Sequence, residues 1–247
     1  SHYSYIVGCQ QNGQVAVVDP RRDVDVYLDW AARNGATIAH VLETHIHADF
    51  ASGAKELAAR TGAVHHASAY DSGEIFEIGY GHEDMLDGEE LRIGNVRIVA
   101  MHTPGHTPEH LSFLVYDGAR SDEMPMLFLT GDFLFVGSLG RPDLLGEEAK
   151  RGLASQMFDS VAKLEDLPDG LEVHPAHGSG SMCGAGMSGR ASSTTVRVIS
   201  DVDMGTLLQK LDEIGFYDHA TRGVGLTNVP EVAGRRGIVV VHDNGTD

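Results

Sequence analysis

Cysteine is scarce in this 247-residue chain, with only Cys9 and Cys183 present. Two thiols do not make a disulfide scaffold, so the fold must hold by packing, and a reducing, cytoplasmic setting is the expectation. Long apolar runs are missing too. None reaches the roughly 18 residues that a membrane-spanning helix needs, and no basic-then-apolar leader pattern opens the sequence. Basic residues are few: 18 Lys and Arg stand against 36 Asp and Glu, a formal charge of −18. Phosphate backbones and anionic lipid surfaces are bound through clustered Lys and Arg, so neither nucleic acid nor a membrane is an expected partner. The acidity is read as serving solubility.

The apolar share is an ordinary 42 %, enough for a globular core. Histidine is plentiful instead, at 14 residues, several of them in tight local clusters. The length fits one large domain with a modest extension. The expected division is a catalytic domain over 1–218 and a tail or linker over 219–247, too short for a second domain.

Hydrophobic patterning predicts strands at Tyr3–Val7 and Gln14–Asp19 around a Gln11–Asn12–Gly13 turn. A helix capped by Asp23 follows, with Val26, Tyr27, Trp30 and Ala31 on one face, and Gly35 stops it. Ile38–Glu43 reads as a buried strand, Gly53–Arg60 as a short helix ended by Gly62, and Ala63–His66 as a brief strand. Leu91–Ile93 and Val96–Met101 alternate as a hairpin around Gly94–Asn95. His110–Tyr116, Met126–Thr130 and Leu171–Val173 are further strands. Glu147–Leu164 and Asp203–Ile214 are helical in period, and Gly237–Val241 is a late strand. Strands then a helix, twice over, predict an α/β protein: two mixed sheets packed together with helices outside.

Chemistry concentrates at strand ends. Thr44–His45–Ile46–His47–Ala48–Asp49–Phe50 follows a buried strand, and in extended chain His45, His47 and Asp49 point the same way. Two imidazoles and a carboxylate suit Zn, Fe or Mn better than Ca or Mg. Thr103–Pro104–Gly105–His106 follows the next long strand, with a sharp turn projecting His106. Thr130–Gly131–Asp132 and Pro175–Ala176–His177 each follow another strand. Singly, a histidine after a strand or a Gly-Asp turn is usually structural. Four in order, all at strand ends, predict a metal site.

These residues resemble the signature of the metallo-β-lactamase superfamily, over roughly 1–215. Within it the chain looks most like the persulfide dioxygenases, relatives of the ethylmalonic encephalopathy protein, especially members fused to rhodanese domains. His45–Asp49, Thr103–His106, and Gly131–Asp132 followed by Gly140–Arg141–Pro142–Asp143 carry that finer match, together with Pro175–His177. The resemblance implies an αββα sandwich and a single Fe(II) per chain held by His45, His106 and Asp132, with Zn as the alternative. His47, Asp49 and Asp19 would sit in an outer shell, with His177 as a neighbour of the metal. Phe50 departs from dinuclear members, which carry a histidine there. The implied reaction is oxidation of a small-molecule thiol persulfide with O2 and water to sulfite and thiol. Arg141 is either an anion-orienting residue or a salt-bridge partner of Asp143. Cys183 is either a relay for sulfane sulfur or an inert loop thiol. A separate rhodanese partner fits the family, since no cysteine follows Cys183, and edge strands are compatible with a homodimer.

Two other readings stand beside this one. A glyoxalase II-type thioester hydrolase on the same fold predicts two zinc ions and no need for O2. A non-catalytic metal-binding or partner-binding module predicts neither activity.

Overall fold

The computed structural model describes residues 2–184 and 187–195. The expected helix at 203–214, the strand at 237–241 and the tail 219–247 lie outside the described residues. β1 (Tyr5–Cys9) and β2 (Gln14–Val18) form an antiparallel hairpin. α1 (Asp25–Asn34) ends at Gly35 in the left-handed conformation, as its sequence predicts. Its N-cap is Val24, without a side-chain cap; Asp23 instead lies 3.5 Å from Arg21. β3 (Thr37–Leu42), α2 (Ala54–Thr61), β4 (Val64–Ser68) and the edge strand β5 (Glu83–Met85) complete a mixed sheet in the order β1-β2-β3-β4-β5.

The second sheet starts as an antiparallel meander: β6 (Glu90–Ile93), β7 (Val96–His102), β8 (Leu111–Asp117) and β9 (Leu127–Gly131). A two-residue hairpin, β10 (Leu134–Phe135) with β11 (Ser138–Leu139), precedes α3 (Glu147–Ala162) and a 3-10 turn over Lys163–Asp166. β12 (Glu172–Pro175) then pairs parallel to β9, and β13 (Ser193–Thr194) pairs antiparallel to β12.

Side-chain alternation assigns each strand face. From β1 and β2, Tyr5, Val7, Cys9, Ala16 and Val18 meet Ile98, Phe113, Val115 and Leu129 of the other sheet. The opposite faces carry Ile6, Val15 and Val17, which pack with Tyr27 and Ala31 of α1 and Leu57 of α2. Leu114, Phe128 and Val173 face outward from the second sheet onto Met157 of α3 and Leu164. Three apolar layers separate four structural ones: helix, sheet, sheet, helix. Among the described residues no helix is long and apolar enough to cross a membrane.

Hydrogen bonds join the two sheets at one end. Tyr5 Oη donates to the Pro175 carbonyl at 2.5 Å, Tyr3 N to the Ala176 carbonyl at 2.7 Å, and Leu111 N to the Thr44 carbonyl at 2.7 Å. The segments that leave β2, β3, β7, β9 and β12 all converge there.

Candidate metal centre

Asp19 closes β2 with φ of 49°, the sole non-glycine residue with positive φ among the described residues. Such a conformation is held only by strong local bonding, and the bonding is visible. Asp19 Oδ1 accepts from Thr44 N at 2.7 Å and Oδ2 from Thr44 Oγ1 at 2.8 Å. The single Thr44 hydroxyl proton is thereby spent on the carboxylate. Its oxygen, 3.0 Å from His45 Nδ1, then accepts from the ring. The tautomer follows: His45 carries its proton on Nδ1, and its Nε2 lone pair points inward.

His106 repeats the arrangement. Its Nδ1 donates to the Arg141 carbonyl at 3.1 Å, which leaves Nε2 as the open electron pair. The two Nε2 atoms lie 3.7 and 3.5 Å from Asp132 Oδ2. That oxygen is buried and takes no hydrogen bond. His45, His106 and Asp132 are all buried, and their ligand atoms lie within 4.8 Å of one another. A buried carboxylate oxygen without a donor, faced by two imidazole lone pairs, is costly unless a cation sits among them. The donor set fits a divalent transition metal, with coordination positions left over.

The electrostatics agree. Burial, the neighbouring rings of His47 and His110, and His106 hold the His45 pKa well below its ordinary value. His106 is lowered by burial too, against the pull of Asp132. Burial alone would raise the Asp132 carboxyl, but its hydrogen bond from His177 and the surrounding imidazoles hold it far below the usual range. Neutral rings and an ionised carboxylate are the forms that bind metal.

His47, Asp49 and His177 lie around this core and outside the triad. His47 Nε2 is 3.2 Å from Asp19 Oδ1, and its ring packs on Phe50 with centroids 4.4 Å apart. His177 donates from Nδ1 to Asp132 Oδ1 at 2.6 Å, and its Nε2 lies 2.9 Å from Asp49 Oδ2. Arg141 forms a two-point bridge to Asp143 at 2.9 and 2.8 Å. That is the loop-fixing arrangement; its backbone carbonyl, not its guanidinium, reaches His106. Cys183 is buried, beside the His177 ring.

One residue outside the four motifs, His110, belongs to the site's framework. His110 stacks on His45 with centroids 5.0 Å apart, and its Nε2 accepts from Asp132 N at 3.0 Å. Its Nδ1 donates to Thr103 Oγ1 at 2.9 Å, which in turn meets Ser112 Oγ at 2.7 Å. Gly131 makes room for this ring. At φ 54° a Cβ there would stand 2.5 Å from His110 Nε2. The sequence signal was available: His110 stands immediately before β8, seven residues after Thr103, its hydroxyl partner. His65, on β4, pairs with Glu43 at 2.8 Å.

The family model of the metallo-beta-lactamase superfamily matches residues 1–177. The chain belongs to the metallo-beta-lactamase superfamily. Its fold is that of the superfamily, in the α/β class, as expected from the motifs. The structure is similar to a metallo-beta-lactamase from Staphylococcus aureus with TM-score 0.77 and 36 % identity, over 84 % of this chain and 62 % of that one. It is also similar to ETHE1 from Myxococcus xanthus, with TM-score 0.63 and 25 % identity over 88 % and 95 %.

Among curated superfamily members, a hydroxyacylglutathione hydrolase of Rhodospirillum rubrum is 32 % identical over 71 % of this chain and 62 % of its own length. One of Methylococcus capsulatus is 34 % identical over the same shares. The chain thus spans about three fifths of the length of these relatives. ETHE1 supports the relation drawn from the finer motifs, but the curated relatives overturn the activity expected from it. The expectation of a persulfide dioxygenase fails because relatives at 30–34 % identity are hydroxyacylglutathione hydrolases, and iron and sulfur oxidation lose their footing with it. The physical weakness in that expectation lies at Phe50. A ring that removes one ligand beside the triad says nothing about which metal the triad itself holds.

Proposed function

We propose that this chain hydrolyses a thioester, of the acyl-glutathione kind, at a zinc centre held by His45, His106 and Asp132. The observation that supports it most is the buried, hydrogen-bond-free Asp132 oxygen facing two imidazole lone pairs, in a chain about one third identical to hydroxyacylglutathione hydrolases. Catalytic zinc sites characteristically use three protein ligands and keep a position open. The triad meets that count without any contribution from residue 50. A zinc ion supplies Lewis acidity toward a thioester carbonyl and lowers the pKa of water, with no change of oxidation state.

The chain's residues have separable tasks. Thr44 and the Arg141 carbonyl fix the two imidazole tautomers. His110 holds the Asp132 backbone. His177, buried and bonded to Asp132, backs Asp49, which is partly exposed and presents a carboxylate at the rim. Phe50 and His2, with ring centroids 4.1 Å apart, shield another side from water.

The test is turnover of a hydroxyacylglutathione under anaerobic conditions by zinc-loaded protein, followed through release of free thiol. Hydrolysis without O2 is expected, and Asp132→Ala should abolish it together with zinc retention. Fully loaded protein with no thioester turnover would refute the reading.

A further inference from the structure

A pair of imidazoles that the triad does not use stands on the first sheet. His40 of β3 is the register partner of Ala16, and His66 of β4 that of Leu42. Ala16 and Leu42 both lie in the apolar layer between the sheets. Register partners leave a sheet on the same face, so both rings rise on that inner side. Val64, the partner of His40 on β4, is 41 % exposed, so the second sheet leaves this stretch open. His40 Nδ1 and His66 Nε2 face each other at 3.0 Å, with ring centroids 5.2 Å apart. Two adjacent strands of one ladder hold the rings, so their spacing is set by the backbone. Burial lowers the pKa of both, that of His66 to about 4 with help from His40 and His65. Both rings are therefore neutral near pH 7. One of the facing nitrogens donates to the other. A tautomer switch of the donating ring moves its proton to the far nitrogen, with no change of charge, and turns both facing atoms into lone pairs.

A third donor stands on the next strand. Glu83 of β5 is the register partner of His66, so it leaves the sheet on the same face, one strand spacing or about 4.8 Å away. Its side chain is exposed, and rotation about its flexible stem swings the carboxylate toward the pair.

From this juxtaposition we propose that His40, His66 and Glu83 form a surface site for copper(II), built on β3, β4 and β5 and separate from the triad. The proposal is independent of the hydrolase reading, since no residue of the triad takes part. Two imidazoles and one carboxylate suit a late first-row metal and not the hard cations, and copper(II) heads the affinity order for such donors. The spacing selects further. With metal–nitrogen bonds of about 2.0 Å, nitrogens 3.0 Å apart subtend roughly 95° at an ion. Those are neighbouring corners of a square-planar or tetragonal ion. A tetrahedral ion such as zinc would hold the two nitrogens roughly 3.3 Å apart. Water fills the remaining positions on the open side.

Copper(II) titration of the zinc-loaded protein, followed by electron paramagnetic resonance, tests this without reference to turnover. Wild type should show a tetragonal copper signal split by two nitrogen nuclei. His40→Gln and His66→Gln should each weaken that component about tenfold or more and reduce the splitting to one nitrogen. Glu83→Gln should keep both nitrogens and weaken binding less than either. A wild type with no two-nitrogen signal would overturn the proposal. So would a spectrum that loses no component in the His40→Gln/His66→Gln double variant, as copper seated beside His177 would give. Anomalous scattering at the copper edge from copper-soaked wild-type crystals decides even if a variant does not fold. A peak bonded to both rings supports the site, and copper peaks found only elsewhere refute it.

Discussion

Thr44 shows how much one hydroxyl decides. It receives the His45 proton and gives its own to Asp19, so it sets which imidazole nitrogen faces the cation. Thr44→Val keeps the volume and removes the relay. Zinc affinity should then fall by about 10–100-fold, measured by competition against a chromophoric chelator, and unchanged affinity would remove Thr44 from the positioning machinery. The residues that meet here were legible because each follows an apolar strand: His45, His106, Asp132 and His177 could be picked out from order and context alone. What they do to one another was not. That Arg141 contributes a carbonyl and not its guanidinium depends on a turn, and backbone groups leave no trace in a residue pattern. His110 escaped because an opening strand residue with no metal spacing looks like ordinary core.

At the level of elements, alternation announced β6 and β7 as a hairpin, and the structure divides the faces of the apolar strands between separate layers. Phe128 is fully buried on the outward face of β9, against α3. Phe128→Ala should cost about 3–5 kcal/mol by cavity formation, measured as a lower urea midpoint with unchanged slope. A loss below about 1 kcal/mol would mean that α3 collapses onto the gap. Short strands were the ones missed. β5, β10, β11 and β13 have two or three residues each, too few for a period to register, and tertiary pairing makes them strands. The expected start of α1 failed for a related reason: Asp23 sits beside Arg21, and the helix begins at Asp25 with Val24 as an N-cap that offers no side-chain bond.

Across the whole molecule, buried histidines couple stability to acid. His66 is lowered to about 4 by burial and by the rings of His40 and His65, and His110 to about 3 by burial and His106. The unfolded chain takes these protons near the ordinary value of 6.5, whereas the folded chain resists them. Stability is therefore intact above that value and erodes as pH falls from it toward 4. Urea midpoints should drop between about pH 7 and about pH 5, and His66→Gln should make the drop shallower; an equal drop in the variant would absolve that ring. The joining of the two sheets has a further consequence. His45 issues from the first sheet, while His106 and Asp132 issue from the second, so neither half of the chain possesses a complete grip on an ion. Zinc capture during refolding should lag behind recovery of Trp30 fluorescence, because that indole reports only the early half, whereas the ion waits for both halves to shut together.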